Sequence, residues 1–124
     1  MGSPAGKVVL VVEDDGDIRE EVAHCLEAEG YAVRVAENGK SAVEQLSTGV
    51  CPGVILLDLM MPVMDGYELL AKLQKHSEWS TIPVIIMSAH LSAQPQNLGG
   101  VFRVLRKPVG IDGICDAVRD ALAA

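Results

Sequence analysis

Short runs of aliphatic residues recur along the chain, separated by longer segments with a helical apolar period. Three runs, at residues 7–12, 54–57 and 84–87, contain almost no polar position. Runs of this length without polar alternation are typical of strands that are buried on both faces of a sheet. Residues 31–36 and 101–105 contain several β-branched residues and predict two further strands.

The segments between these runs carry apolar residues on one face of a helix. In the first segment, Ile18, Val22 and Leu26 are spaced four residues apart. Gly30 is predicted to end this helix, and Asn38 is predicted to cap the next one. The other inward-facing positions are Cys25, Ala42, Val43, Leu46, Leu69, Leu70, Leu73, Ile111, Ile114, Cys115, Val118 and Leu122.

Five strands that alternate with helices indicate one α/β domain, in which a doubly wound parallel sheet is covered by helices on both faces. Right-handed crossovers place the carboxyl ends of all strands at the same edge of the sheet. The chain has 124 residues, which is enough for one domain with its own core. We assign residues 7–124 to this domain and interpret residues 1–6 as a flexible lead-in or a cloning scar.

The composition excludes several classes of protein. The formal charge of −7 repels phosphate backbones, so we expect no direct contact with nucleic acid. No apolar run approaches the roughly 20 residues of a membrane helix, and the first residues do not resemble a secretory signal. We therefore expect a cytoplasmic domain without membrane contact. The cysteines form no C-x-x-C pair, and Cys25 and Cys115 are expected to be buried free thiols.

Polar residues stand where the predicted strands end. Acids follow the first and third strands, a serine follows the fourth and a lysine follows the fifth; these residues are Glu13, Asp14, Asp15, Asp58, Ser88 and Lys107. Clustered carboxylates suit Mg²⁺, a hydroxyl and an ammonium group suit phosphoryl oxygens, and a carboxylate can itself become an aspartyl phosphate. Local alternatives exist for each of them, such as a favourable charge at a helix start, a turn cap or a solvated loop residue.

The set of motifs resembles the receiver domain of bacterial two-component response regulators. The resemblance extends from about residue 7 to the C-terminus. It rests on motifs that agree in order, spacing and placement at strand ends: Val11-Val12-Glu13-Asp14-Asp15, Leu57-Asp58-Leu59-Met60-Met61-Pro62-Val63-Met64-Asp65-Gly66, Met87-Ser88-Ala89 and Lys107-Pro108. The resemblance implies a flavodoxin-like sheet with the strand order 2-1-3-4-5.

The resemblance also implies a role for each site residue. Asp58 is the expected phosphoacceptor, and Ser88 and Lys107 are expected to bind the phosphoryl group after transfer. Asp15, the third acid of its row, need not be a ligand. The expected ligands of Mg²⁺ or Mn²⁺ are Asp14, which binds directly, Glu13, which acts through water, Asp58, and the backbone carbonyl of Met60.

Two features depart from the family pattern. The position three residues before the conserved lysine is usually Tyr or Phe but is Val104 here, and Phe102 is expected on the same face of the strand, farther from the site. The segment between Ser88 and Lys107 is a few residues short and contains Pro95. We therefore expect the fourth helix of the family to be short or irregular and the signal output to be unusual.

The function implied by the resemblance is that of a signalling phosphoacceptor. A histidine kinase or histidine phosphotransfer protein would donate the phosphoryl group, and a conformational switch would signal to a downstream protein partner or to an effector domain missing from this sequence. Apart from self-phosphorylation and slow autodephosphorylation, we expect no enzymatic activity.

Three other classes of protein are alternatives to this interpretation. A magnesium-dependent phosphohydrolase often has a second acid two residues after the nucleophile, where this chain has Met60. A flavodoxin-like cofactor binder needs a phosphate cradle after the first strand, where this chain has acids. A pseudo-receiver that docks partners without phosphorylation stays open, because the output segment is altered.

Overall fold

The computed structural model describes residues 7–59, 66–88, 101–106 and 110–123. The strands are β1 (Val8–Val12), β2 (Ala32–Ala36), β3 (Val54–Asp58), β4 (Val84–Ser88) and β5 (Val101–Arg106). The helices are α1 (Gly16–Ala28), α2 (Gly39–Ser47), α3 (Gly66–Lys75) and α4 (Ile111–Ala123), and a short 3₁₀ turn spans Trp79–Thr81. The predicted lead-in at residues 1–6 and the predicted short or irregular helix between β4 and β5 lie outside the described residues.

The strands form one parallel sheet in the order β2-β1-β3-β4-β5. This order confirms the doubly wound, flavodoxin-like sheet that the resemblance implies. β1 and β3 lie side by side, with Val12 opposite Leu57. β3 pairs in turn with β4, where Asp58 lies opposite Met87. The three strands that lead to the predicted acids and the serine are therefore neighbours in the middle of the sheet.

Helices cover both faces of this sheet because its central strands are apolar on both faces. Successive side chains of a strand alternate between the faces. Leu10 and Val12 belong to the core formed with α2 and α3. Val9 and Val11 belong to the opposite core, which is formed with α1 and α4. All residues of β3 are buried, which confirms that the run ending in Asp58 is a strand covered on both sides.

The helix ends follow the predicted local signals. Gly30 has a φ of 100° and follows Glu29, the C-terminal cap of α1. Glycine adopts this left-handed conformation without the clash that a Cβ atom would cause. The side-chain oxygen of Asn38 accepts a hydrogen bond from the backbone N–H of Ser41 at 2.8 Å and so caps α2.

β5 differs from its prediction at Phe102. Val84 of β4 lies opposite Val101, but the next residue of β4 lies opposite Arg103, so the register shifts at this point. Phe102 is 36% exposed, and Val101 instead joins Val104 against the core. The expectation that Phe102 shares the face of Val104 is therefore wrong, because the irregular register interrupts the two-residue alternation of the strand.

The rings of His76 and Trp79 stack on each other in the connection between α3 and β4. The ring centroids of His76 and Trp79 lie 3.7 Å apart with an angle of 8° between the planes. The Nδ1 atom of His76 also accepts hydrogen bonds from the backbone N–H groups of Glu78 and Trp79 at 3.2 and 3.3 Å. Trp79 packs against the core beneath α2 and α3, so its fluorescence reports the unfolding of that core.

All three cysteines are free thiols, as predicted for Cys25 and Cys115, but these two are less buried than expected. Cys51 is exposed, and Cys25 and Cys115 are each partly exposed. The two helical cysteines lie at the border of stripes whose centres, Leu26 and Val118, are fully buried. Helical periodicity places a residue on the apolar side of a helix, but the packing of the neighbouring helix decides how deeply it is covered.

Candidate functional site

Three carboxylates meet at the carboxyl edge of the sheet. Glu13 follows β1, Asp14 comes next in the chain, and Asp58 is the last residue of β3. One oxygen atom of each residue lies within 4.8 Å of the other two. The pairing of Val12 with Leu57 brings the ends of β1 and β3 level with each other, which is why these acids meet.

The three acids differ in their exposure to solvent. Glu13 is 1% exposed and Asp58 is 4% exposed, whereas Asp14 is an exposed residue. An ionised carboxylate is costly to bury unless hydrogen bonds or cations compensate its charge. The cluster therefore has two acids set into the protein and one acid at its mouth, where a hydrated cation can reach it.

Asp15 caps the first helix and does not join the cluster. Its Oδ1 atom accepts hydrogen bonds from the backbone N–H groups of Asp17 at 3.0 Å and Ile18 at 3.1 Å. These bonds make Asp15 the N-cap of α1. Its own backbone N–H donates to Oε2 of Glu13 at 3.3 Å. Asp15 thus connects the start of α1 to the buried acid.

Arg19 contacts the acidic turn from the helix side. Its Nη1 atom donates a hydrogen bond to the backbone oxygen of Glu13 at 2.8 Å and lies 3.5 Å from that of Asp14. These contacts bring a positive charge to the turn and restrain its backbone. The motifs do not indicate this residue. Its one signal in the sequence is a cation in the first turn of α1, where the helix dipole disfavours positive charge.

Ser88 lies at the same edge of the sheet as the acids. It is the last residue of β4 and is fully buried. The neighbouring strand β3 places Asp58 opposite Met87, the residue before Ser88. Ser88 therefore ends the strand beside the one that ends in Asp58.

Two predicted site residues fall outside the described part of the chain. Lys107 follows Arg106, the residue of β5 that lies opposite Ser88. Met60 follows Leu59, the residue after β3. The roles predicted for Lys107 and for the backbone carbonyl of Met60 stay predictions, as does the role of Ser88 toward a phosphoryl group.

Gly66 allows α3 to begin directly against the end of β3. Its backbone N–H donates to the backbone oxygen of Leu59 at 3.0 Å. A Cβ atom at this position would lie 2.5 Å from Cα of Leu59 and 2.7 Å from the backbone oxygen of Asp58. Only glycine fits this close approach, which accounts for the glycine at this position of the motif.

The donor set of the cluster fits a divalent metal ion. Mg²⁺ prefers oxygen ligands, keeps several of its waters and takes only one or two carboxylates directly. Glu13, Asp14 and Asp58 supply three carboxylates in a small space, one of them open to solvent. A bound cation would offset the repulsion between these acids, so the acidic pocket could bind a metal ion.

A comparison with known protein families identifies the domain. The model of the response regulator receiver domain matches residues 9–119. The chain belongs to this family. The receiver domain is similar to the C4-dicarboxylate transport transcriptional regulatory protein DctD of Pseudomonas aeruginosa, with 35% identity over 121 residues that cover 92% of this chain and 25% of that protein. It therefore spans about a quarter of the length of this relative.

Solved structures share the fold of this receiver domain. The signal receiver domain of a signal transduction histidine kinase from Syntrophus aciditrophicus has a TM-score of 0.82 and 31% identity, and the match covers 94% of this chain and 90% of that one. The chemotaxis protein CheY4 of Vibrio cholerae has a TM-score of 0.84 and 28% identity, with 94% and 98% of the two chains covered. Among the described helices of this domain, none is long and apolar enough to cross a membrane.

Proposed function

We propose that this receiver domain is a phosphoacceptor, in which Asp58 takes a phosphoryl group from the phosphohistidine of a histidine kinase or histidine phosphotransfer protein. The observation that carries the proposal is the meeting of three carboxylates within 4.8 Å at the carboxyl edge of the sheet. Such a cluster combines a nucleophile with the oxygen ligands of the cation that phosphoryl transfer requires.

The transfer itself exchanges one bond to phosphorus for another. A carboxylate oxygen of Asp58 attacks phosphorus in line, and a P–O bond forms while the P–N bond to the donor imidazole breaks. The imidazole nitrogen keeps the electron pair of the broken bond. Asp58 is only 4% exposed, and this burial limits the approach of water to the acyl phosphate, so autodephosphorylation is slow.

The residues around Asp58 prepare the site for this reaction. Glu13, Asp14 and Asp58, with the backbone carbonyl of Met60, are the groups that would hold Mg²⁺ or Mn²⁺. When bound, the metal neutralises the acids and the phosphoryl oxygens, so that two anionic groups can approach each other. Arg19 restrains the acidic turn through its hydrogen bond to the backbone oxygen of Glu13.

The aspartyl phosphate then acts as a conformational switch. Ser88 at the end of β4 and Lys107 after β5 bind the new phosphoryl oxygens, which biases this side of the domain between two arrangements. The signal passes to a protein partner or to an effector domain of a longer protein. We place the domain in the cytoplasm, without direct contact to nucleic acid or membrane and without turnover of outside substrates.

Intact mass spectrometry after incubation with acetyl phosphate tests the proposal. We expect one phosphoryl adduct that forms with Mg²⁺ and is absent in a chelator. Asp58→Asn should not gain the adduct. Asp15→Asn is the matched control, because asparagine keeps the helix cap while a neighbouring carboxylate is removed, and this variant should be phosphorylated like the wild type.

Two results would overturn the proposal. A folded wild-type protein that gains no adduct from acetyl phosphate or from a phosphorylated phosphotransfer protein would favour a pseudo-receiver that docks partners without phosphorylation. An adduct that persists in Asp58→Asn would assign the acceptor to a different residue.

A further inference from the structure

Two cysteines that are distant in the sequence meet between α1 and α4. Cys25 and Cys115 are separated by 90 positions, and their Sγ atoms lie 3.0 Å apart. Both residues are partly exposed and both are free thiols. The spacing of the cysteines indicates no redox pair, but the fold places these two thiols in contact across the packed helices.

Buried neighbours hold the helices that carry these thiols. Leu26, next to Cys25, and Val118, one turn after Cys115, are both fully buried in the same core. The two sulfurs of a disulfide are about 2.05 Å apart, so the thiols need to approach each other by about 1 Å. Side-chain rotations can supply a movement of this size, so the two sulfurs lie within reach of a disulfide.

We propose that Cys25 and Cys115 form a reversible disulfide site, which fastens α1 to α4 when a small-molecule disulfide oxidises the pair. In the first exchange, the thiolate of Cys25 attacks one sulfur of the oxidant, the S–S bond of the oxidant breaks, and one small thiol leaves. Cys115 then attacks the Cys25 sulfur of the mixed disulfide, the S–S bond to the small molecule breaks, and the leaving thiolate takes up the proton that Cys115 releases. Two protein thiols are oxidised by two electrons, and one small disulfide is reduced to two thiols.

The surroundings of Cys115 indicate that it reacts second, by attacking the mixed disulfide on Cys25. Burial, the hydrogen bond with Cys25 and the carboxylates of Glu29 and Asp112 raise the pKa of Cys115 to about 12. Cys115 therefore stays a thiol at neutral pH and is a poor nucleophile toward an oxidant in solution. Once Cys25 carries the mixed disulfide, the two sulfurs are already in contact, and this proximity compensates for the low reactivity of Cys115.

Mass spectrometry of the full chain in a glutathione redox buffer tests the proposal. The protein carries Cys51→Ser, which removes the exposed third thiol. We expect the folded protein to lose two hydrogen atoms, to carry no glutathione and to yield one peptide pair that joins Cys25 to Cys115. Dithiothreitol should reverse the change. Cys25→Ser and Cys115→Ser in the same background are the controls, and neither should lose two hydrogen atoms.

The same experiment on the urea-unfolded chain measures how much the folded structure promotes the formation of the Cys25–Cys115 disulfide. Half of the folded protein should carry the disulfide in a buffer at least about 30-fold more reducing than the buffer in which half of the unfolded chain carries it. This ratio corresponds to the lower end of the stabilisation that a disulfide typically gives a folded protein. Equal requirements for the two states would overturn the proposal. A folded protein in which both thiols carry separate glutathione adducts would overturn it as well.

Discussion

Replacement of Gly66 by alanine tests how closely α3 packs on the strand that ends in Asp58. An ideal Cβ atom at this position lies 2.5 Å from Cα of Leu59, 2.7 Å from the backbone oxygen of Asp58 and 2.9 Å from Cδ2 of Leu59. Favourable carbon–carbon contacts lie at about 3.5–4.0 Å, so the added methyl group is about 1 Å too close to its neighbours. Two of the three contacts are with backbone atoms, which cannot rotate away, so the strand end or the first turn of α3 must shift.

The size of the expected loss follows from this geometry. Extra methyl groups in well-packed sites typically cost about 1–3 kcal/mol. Alanine is a better helix former than glycine by up to about 1 kcal/mol, but Gly66 is the first residue of α3, where this gain is small. Because the clash is mainly with backbone, we expect a net loss of about 2–3 kcal/mol, which corresponds to a fall in Tm of about 10 °C or more.

Urea unfolding, followed by Trp79 fluorescence and by circular dichroism, measures this loss. Gly110→Ala is the matched control, because a Cβ atom there meets no atom within 4 Å. Its stability should change by no more than about 0.5 kcal/mol. If Gly66→Ala unfolds at the same urea concentration as Gly110→Ala, the close approach of α3 to β3 is refuted. Gly66→Ala should also slow phosphorylation, because the displaced carbonyl belongs to Asp58.

Three further predictions concern a helix cap, an arginine and a thiol. In urea unfolding, Asp15→Ala should reduce the free energy of unfolding by about 1 kcal/mol, and Asp15→Asn should reduce it by only about a few tenths of a kcal/mol. Equal losses for the two variants would contradict the capping role. Arg19→Ala should reduce the free energy of unfolding by about 0.5–1.5 kcal/mol and slow phosphorylation, because the hydrogen bond to the backbone oxygen of Glu13 is lost. The control is Arg34→Ala, which removes an exposed arginine and should match the wild type. Equal phosphorylation rates for the two variants would exclude a role of Arg19 at the site. In the presence of a reductant, the stability of the wild type should fall relative to that of Cys115→Ser between pH 9 and 12. In the unfolded chain the Cys115 thiol ionises near its ordinary pKa of 9.0, whereas in the folded protein its pKa is about 12. The raised pKa thus contributes stability that is fully present below pH 9 and is lost as the pH rises to 12, and parallel pH curves for the two proteins would contradict this assignment.

The central strands could be predicted because their pattern is local. Side chains alternate between the two faces of a strand, so a run without polar residues has to be covered on both faces. The structure confirms this burial for β1, β3 and β4. The strand ends were less predictable: Ser88 and Arg106 belong to β4 and β5, because the ladder between these strands continues to the edge of the sheet.

The acidic cluster could be predicted because the ends of parallel strands share one edge of the sheet. This rule brings Glu13 and Asp14 near Asp58, and the structure places their carboxylates together. The rule contains no information on the direction of each side chain. Asp15 belongs to the same acidic row but accepts hydrogen bonds from the first turn of α1.

The sequence by itself determined the class of fold, the residues of the core strands and the acids at the functional edge, since these follow from apolar periodicity and chain direction. Only the tertiary structure decided the register shift at Phe102, the hydrogen bond from Arg19 to the acidic turn and the contact between Cys25 and Cys115. Periodicity records whether a residue faces the core. Contacts between distant elements depend in addition on how each helix is rotated and packed, which the whole core sets together.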